Sequence, residues 1–385
     1  MRIAMIGQKG MPASFGGVER HVHDLAVSLA GLNHQVTAYG RSWYTGKKGK
    51  IQINSVQVIH TPTIHTKHLD TISHTFFSTI HALFQGYDVI HYHGVGPALL
   101  SWIPRLFARK TRVVTTFHSI DRTHQKWGGF AKWVLRLGEK AAVQFAHYTI
   151  TVSRSLEWYC QKEFNLSTVY IPNGVNPLVK TNSLAILKKL GLEPNQYLIM
   201  VSRLVPHKGA HFLITAFSEF KQKNPHLTNL KLVIVGGSVH TDAYVNELHA
   251  MAGTDVVLAG FQTGTDIQAL FQNASALVHP SLSEGLPINV LEAMNNGKPV
   301  LLSNIPEHLE IGTDSRLIFK RGSVESIIKT ITKFFTFSQA EQDQIGEANA
   351  FIVETHYRWA ILLPQILAVY AGEVTTAPEA IIVTV

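Results

Sequence analysis

The sequence predicts an α/β protein of two Rossmann-like, doubly wound domains, and three observations carry that prediction. The chain has 385 residues, more than one ordinary domain needs and enough for two of about 180 residues, each able to bury its own core. Short β-branched or apolar runs alternate with helical patterns along both halves, the signature of parallel sheets. The alternation is interrupted once, at the turn-rich segment Ile171-Pro-Asn-Gly-Val-Asn-Pro177, and then restarts.

Strands are expected over 2–6, 35–39, 56–59, 88–92, 112–117 and 148–152, with helical patterns between most of them, for example over 18–30. The second series runs over 197–201, 230–235, 256–258, 276–278, 299–302 and 317–319. These runs place one domain over 1–176 and another over 177–356. A C-terminal helical stretch, about 357–385, is apolar enough to need a docking site and is expected to cross back onto the first domain. Ligands of open parallel sheets sit outside the carboxyl ends of the strands. Two such domains are therefore expected to face each other across a cleft lined by both sets of strand ends.

Composition narrows the function classes. Apolar residues make up 45% of the chain and charged residues 16%, which describes a globular protein and excludes a disordered one. Cys160 is the single cysteine, so an intrachain disulfide and a thiolate metal cluster are both excluded, and the cytosol is the expected compartment. The apolar stretch before Gly7 is far too short for a signal sequence, and no run of 18 apolar residues follows, so nothing is expected to span a bilayer. The net charge of +8 is unevenly spread: residues 1–176 carry 19 Lys/Arg against 8 Asp/Glu, whereas 177–385 carry 15 against 18. Arg105, Arg109, Lys110, Arg112, Arg122, Lys126, Lys132, Arg136 and Lys140 crowd one segment holding only Asp121 and Glu139 as acids. Such a face attracts an anionic partner, a phosphate-rich membrane surface or a nucleic acid.

The residues just after each strand carry the chemistry. Gly7-Gln-Lys-Gly-Met-Pro-Ala-Ser-Phe-Gly-Gly-Val-Glu19 lacks the GxGxxG spacing of a nicotinamide site. Gly16 and Gly17 before a helix instead let backbone N–H groups approach an anion; the alternative is a mobile surface loop. His118 follows the strand over 112–117 and is placed at a cleft edge. His91 and His93 share one strand face, but no third ligand follows at a convincing spacing, so they read as structural or cleft-lining residues and no metal is expected. Ser202-Arg-Leu-Val-Pro-His-Lys-Gly209 sets Arg203 and Lys208 about a Pro-containing turn before a helix, a combination suited to a diphosphate. In Ser281-Leu-Ser-Glu-Gly-Leu-Pro-Ile-Asn-Val-Leu-Glu-Ala-Met294, Glu284 lies in the loop and Glu292 in the helix, with Pro287 expected in its first turn. Paired hydroxyls on sugars donate to such carboxylates.

These elements together resemble the retaining glycosyltransferases of family 4, also called group 1. The resemblance rests on Glu284-x7-Glu292, on Ser202–Gly209, on Ile171-Pro-Asn-Gly174, on Leu258-Ala-Gly-Phe261 and on Gly16-Gly-Val-Glu19, in family order over nearly the whole chain. It implies the GT-B fold and transfer of a hexose from a nucleotide diphosphate sugar, with retention and without metal or other cofactor, to a glycan or lipid-linked acceptor in cell-surface polysaccharide assembly. Arg203 and Lys208 would hold the diphosphate, Glu292 the ribose, Glu284 the sugar hydroxyls, and backbone near Phe261 the base. Amides about Gly285, Leu286, Pro287 and Ile288 would help hold sugar and phosphate, and Gly16 and Gly17 would approach the diphosphate or admit the acceptor. His118 would touch the transferred sugar, making His118, Arg203, Lys208 and Glu284 the catalytic set.

The basic segment then has two readings. Trp127, Phe130, Trp133, Val134 and Leu137 recur at helical spacing beside Lys126, Lys132, Arg136 and Lys140. They form either a helix lying on anionic lipid, where a lipid-linked acceptor would be presented, or a core face with cations outside. The first makes the protein cytoplasmic and peripheral on the inner face of the membrane, with no nucleic-acid partner. A nucleotide-sugar epimerase of the same fold and a non-catalytic binding protein are the rival functions.

Overall fold

The computed structural model describes residues 1–66, 69–123, 128–238 and 241–374. Packing divides the chain into two compact units, residues 1–174 with the chain from Trp359 onward, and residues 175–358. The junctions differ slightly from those expected at 176 and 356 because Gly174 packs directly on Trp359, where a Cβ would fall 2.5 Å from the indole ring. The segment before Gly174 thus belongs to the first core, which includes Ile171.

The first unit holds β1 (Arg2–Ile6), β2 (Gln35–Gly40), β3 (Lys50–Ile53), β4 (Val56–His60), β5 (Val89–His93), β6 (Arg112–Phe117), β7 (Tyr148–Thr151) and β8 (Val169–Tyr170). Their order across the sheet is β3-β4-β2-β1-β5-β6-β7-β8, parallel throughout except for β3 against β4. Sequence patterning missed β3 and β8. β3 is a half-exposed edge strand joined to β4 through Asn54 and Ser55, both at positive φ (45° and 66°), as a two-residue hairpin turn requires. The strand order reverses between β1 and β5, the place where open α/β sheets bind ligands.

One face of this sheet is covered by the helices Gly17–Gly31 and Trp359–Ala371. The second is apolar almost all round, and Leu362, Leu363, Ile366 and Val369 are buried with Val22, Leu25, Leu29, Ile3 and Met5. Each such side chain contributes roughly 1.5–3 kcal/mol when fully buried. The helix Trp359–Ala371 is thus a packed core element of the first unit; residues 375–385 of the expected C-terminal stretch lie outside the described residues.

The second unit holds β9 (Tyr197–Val201), β10 (Lys231–Val235), β11 (Val256–Gly260), β12 (Ala276–His279), β13 (Val300–Ser303) and β14 (Ile318–Phe319), all parallel, in the order β11-β10-β9-β12-β13-β14. Its order reverses between β9 and β12. Helices Ala210–Lys223 and Val324–Thr336 cover one face, burying Leu213, Phe217 and Phe220 with Ile327, Ile331 and Phe334 at helical spacing.

Candidate active site

In the second unit the chain leaves β9 at Val201, passes Arg203, and makes a single helical turn, Pro206–Lys208. Gly209 then takes φ +75°, and a Cβ there would fall 2.4 Å from the Pro280 carbonyl oxygen, so only glycine lets this turn close on the loop after β12. The two loops are fastened by the Leu282 N–H on the His207 carbonyl (2.8 Å) and by the Ser281 hydroxyl on the same oxygen (3.3 Å). Closure brings Lys208 into an ion pair with Glu284, and the His279 Nε2–H donates to the same Glu284 Oε1 at 2.9 Å. Burial raises the cost of the Glu284 charge, but Lys208 and His279 outweigh it and hold the carboxyl well below its ordinary range. Burial pushes the Lys208 ammonium down; Glu284 opposes that shift and the charge of Arg203 adds to it.

Glu284 therefore meets its counter-charge inside the protein. Lys208 and Glu284, expected to hold phosphate and sugar respectively, are also bonded to each other. His308 braces the same loop: its ring bonds the Ser303 carbonyl at 2.9 Å, while the Ser303 hydroxyl donates to the Ser281 carbonyl at 2.6 Å. Burial drives the His308 pKa to about 3, so its imidazole is neutral.

Pro287 is extended (φ −77°, ψ 107°) and precedes the helix Ile288–Asn295 instead of sitting in its first turn. Leu286 and Ile288 are buried, and Asn289 donates to the Val201 carbonyl, tying the start of this helix to the end of β9. The helix N–H groups at that end have no partner further back in the helix and are the ones a phosphate uses. Gly285 lies between Glu284 and this helix, and Glu292 is half-buried one turn beyond Ile288. The Phe261 ring follows β11 and packs over Gly237, where a Cβ would fall 2.7 Å from it. Arg203, Lys208, Glu284, Gly285, Leu286, Pro287, Ile288 and Phe261 thus all follow the carboxyl ends of β9, β11 and β12.

The first unit assembles a second cluster at its own strand ends. Gly7 follows β1 at φ +124°, and a Cβ would fall 2.5 Å from the His93 carbonyl oxygen, so glycine permits β1 and β5 to end side by side. The loop from Gly7 to Gly16 is tied to its surroundings by hydrogen bonds. Buried Gln8 donates to the Met5 and Tyr39 carbonyls (both 2.9 Å), and the Tyr44 hydroxyl accepts from the Ser14 and Phe15 N–H groups (2.8 and 2.9 Å). Gly16 (φ +107°) caps the helix Gly17–Gly31, whose early turns place Glu19 and His21 in the interior. Arg41, buried after β2, pairs with Asp70 at 2.9 Å and steadies the loop through its backbone N–H on the Lys9 carbonyl (2.7 Å).

His118, after β6, is buried and lies 3.3 Å (Nε2) from Nδ1 of His93. His21 sits edge-on to His118, ring centroids 4.8 Å apart, and against Trp359 at 5.3 Å. His91 packs tilted against His93, ring centroids 4.0 Å apart, and is fixed at both nitrogens, by the Tyr370 and Thr116 hydroxyls, each at 2.7 Å. Burial pushes the His21 pKa down to about 4, and burial reinforced by neighbouring imidazoles holds His91, His93 and His118 well below the ordinary value. All four are neutral near pH 7. The imidazoles that complete a group of three with His93 come from His21 and His118, on other elements, and His91 is not part of it. His21, His279, His308 and Arg41 were not singled out by sequence. His279 ends its strand, and a rule reading the last residue of each strand would have found it.

The basic aromatic stretch forms the helix Gly129–Gln144. Lys126 and Trp127 fall outside the described residues. Phe130 and Trp133 are 79% and 59% exposed and stack on each other, so the core reading of these aromatics is overturned. The buried face is made of Gly138, Glu139, Ala141 and Ala142. A Cβ on Gly138 would fall 2.3 Å from the Val95 carbonyl oxygen, so small residues bring the helix close and the aromatics turn outward. Lys132 and Lys140 are exposed, and Arg136 pairs with Glu163 at 2.8 Å. Trp133, Leu137, Phe164 and Leu166 line, with Arg136 and Lys140, a groove of about 680 Å³. Among the described residues, no helix is long and apolar enough to cross a membrane.

Comparison with known proteins follows the same division. The profile of the family described as Glycosyltransferase Family 4 matches residues 15–177, and that of Glycosyl transferases group 1 matches residues 183–350. A protein of Methanocaldococcus jannaschii named only as an uncharacterized glycosyltransferase is 26% identical over 344 residues, covering 81% of this chain and 82% of the relative. The Escherichia coli UDP-Gal:alpha-D-GlcNAc-diphosphoundecaprenol alpha-1,3-galactosyltransferase is 29% identical over 236 residues, 57% of this chain and 58% of that protein. Anabaena HepE, solved in complex with UDP-glucose, superposes with a TM-score of 0.77 at 22% identity, covering 97% of this chain and all of that one. That likeness establishes the GT-B fold.

Proposed function

Because the chain belongs to the group 1, family 4 glycosyltransferases, we propose that it moves a hexose from a nucleotide diphosphate sugar to a glycan or lipid-linked acceptor of cell-surface polysaccharide assembly. The observation that carries the reading is the buried Lys208–Glu284–His279 cluster beside Arg203, set where the strand order of the second unit reverses. Uridine diphosphate hexoses are the first donors to test, since a relative is named for one.

In this reading Arg203 and Lys208 hold the diphosphate. As the bond from the anomeric carbon to the phosphate oxygen breaks, negative charge grows on that oxygen, and fixed cations stabilise it more in the transition state than in the ground state. Those cations take the place of a divalent metal. The acceptor oxygen forms its bond on the face the phosphate leaves, and its proton passes to the departing phosphate, so configuration is retained. Glu284, already neutralised by Lys208 and His279, is a poor nucleophile and serves as an acceptor for sugar hydroxyls. Amides about Gly285 to Ile288 assist; Glu292 takes the ribose, and backbone near Phe261 takes the base. His118, a neutral imidazole, contacts the transferred sugar, while Gly17, where a Cβ would meet nothing within 4 Å, leaves room for diphosphate or acceptor beside Gly16.

The acceptor comes from a lipid surface. Exposed Phe130 and Trp133 flanked by Lys132, Arg136 and Lys140 suit an anionic leaflet, which the cytoplasmic face supplies, making the enzyme cytoplasmic and peripheral. The test is nucleotide release. Free nucleotide diphosphate should appear only when donor and acceptor are both present, with the product anomer matching the donor; conversion of donor without acceptor would replace transfer with epimerisation.

A further inference from the structure

Three imidazoles from three separate elements converge in the first unit, two of them paired with each other, His93 Nδ1 with His118 Nε2. One ring nitrogen from each of His21, His93 and His118 lies within 4.8 Å of the others, and all three residues are buried. His21 Nδ1 has no hydrogen-bond partner among the described residues. Buried polar atoms are nearly always paired, so this orphan beside two facing imidazoles calls for a missing occupant.

The geometry points to a site for a borderline-soft divalent transition metal, of the Zn2+ class, held by His21, His93 and His118. Four-coordinate zinc with bonds of 2.0–2.1 Å separates its ligand nitrogens by about 3.4 Å, and His93 Nδ1 and His118 Nε2 already stand 3.3 Å apart. Three histidines with no carboxylate or carbonyl in the set select zinc, cobalt, nickel or copper over magnesium or calcium, which need oxygen ligands. The set leaves a fourth position for water. Supporting groups are in place: Asn173 hydrogen-bonds the His21 side chain, and His91, locked by Tyr370 and Thr116, packs against His93. Outer contacts of this kind orient metal-binding imidazoles. The comparable cluster of the second unit, His279, Glu284 and His308, does not qualify, because the Lys208 ammonium already occupies the Glu284 carboxylate.

The consequence for the enzyme rests on the proposed contact of His118 with the transferred sugar. An imidazole bound to an ion is withdrawn from that contact, so the ion and productive donor binding exclude each other, and zinc acts as a reversible inhibitor.

The experiment titrates the full-length, tag-free chain with Co2+. Expected are the visible bands of four-coordinate cobalt, saturating at one ion per chain and displaced by Zn2+. His21→Ala and His93→Ala should each weaken binding by more than the roughly 10- to 100-fold that losing an outer partner costs, and His279→Ala should leave it unchanged. X-ray absorption of the zinc-loaded wild-type chain should show scattering from three imidazoles, a reading that needs no variant to fold. Absence of a saturable cobalt spectrum, or a spectrum that survives both variants, would overturn the site. Zinc should also stop transfer, and a chelator should restore it. Zinc bound at the three histidines without inhibition would leave the site standing and overturn the role of His118.

Discussion

Lys208 and Glu284 form an ion pair with side chains only 12% and 7% exposed, joined across 76 residues of sequence. Pairing of this kind gains little over an apolar substitute, yet breaking it leaves a charge stranded in the interior. Lys208→Met should therefore lower the stability of the chain by about 3–5 kcal/mol, whereas Lys208→Met combined with Glu284→Leu should recover most of that loss. Denaturant unfolding of the single and double variants measures it. Equal stability of the two would mean the pair is solvated and not buried.

Donor affinity should separate from stability at Arg203. Its guanidinium has no part in the Lys208–Glu284 contact, so Arg203→Ala should unfold like wild type, within about 0.5 kcal/mol. Binding of a nucleotide diphosphate should nonetheless weaken by about 2–5 kcal/mol, the cost of removing one partner of a desolvated charge pair. Arg203→Lys should restore little, because an ammonium lacks the fork that meets two phosphate oxygens. Calorimetric titration with UDP decides it; unaltered affinity in Arg203→Ala would remove the diphosphate from this loop.

How far these relationships were legible in sequence follows from the range of the forces behind them. The parallel strands show because a buried strand is a local run of β-branched residues, as in Lys231–Val235. β3 escaped because its burial alternates weakly at the sheet edge, and β8 because two residues make no pattern. Arg203, Lys208 and Glu284 were legible as residues that follow strands, but the pairing of Lys208 with Glu284 was not, since it depends on the closure permitted by Gly209. The histidine cluster draws on the ends of β5 and β6 and on the helix Gly17–Gly31, and no spacing rule joins those. The aromatics at Phe130 and Trp133 were ambiguous because apolar periodicity alone does not say which face packs; the small residues Gly138, Ala141 and Ala142 decided it.

Stability should fall with acid earlier than carboxylates alone predict. Burial holds the folded-state pKa of His74, and of His308, at about 3, against 6.5 when unfolded. Between those values the unfolded chain carries a proton that the folded chain refuses. The stabilisation is complete above pH 6.5 and drains away as pH falls toward 3. Each histidine should cost about 2 kcal/mol on going from pH 7 to pH 5. Melting temperatures across that range test it, and His74→Leu should show a shallower fall than wild type; identical slopes would mean that His74 is hydrated.

The exposed aromatics should matter for membranes and not for folding. Phe130→Ser and Trp133→Ser should change stability by less than about 0.5 kcal/mol each, since neither ring is in the core. Each should reduce sedimentation with vesicles containing anionic lipid by about tenfold, the loss expected when an aromatic ring no longer enters the interface. Binding should also weaken with added salt, because Lys132 and Lys140 act through screened charge. Wild-type chain that ignores such vesicles at low salt would assign the 680 Å³ groove to something other than a lipid surface.

Gly16 and Gly17 are adjacent, yet alanine should act on them in opposite ways. At Gly16 the backbone holds φ +107°, and a Cβ would fall 1.9 Å from Glu19 Oε2, displacing a carboxylate that accepts the Lys9 N–H at 3.2 Å. Gly16→Ala combines backbone strain with a steric clash and should cost about 2–4 kcal/mol. Gly17 begins the helix, and a Cβ there meets nothing within 4 Å. Gly17→Ala should keep or raise stability by about 0.5–1 kcal/mol, because the unfolded chain loses freedom that alanine lacks. If that open space receives the diphosphate or the acceptor, the same methyl should raise the KM for one of them while the protein melts no earlier than wild type. Steady-state kinetics with each substrate varied in turn, read beside the melting curve, settles the point: unchanged KM values for both would place the ligands elsewhere and leave Gly17 a matter of chain flexibility alone.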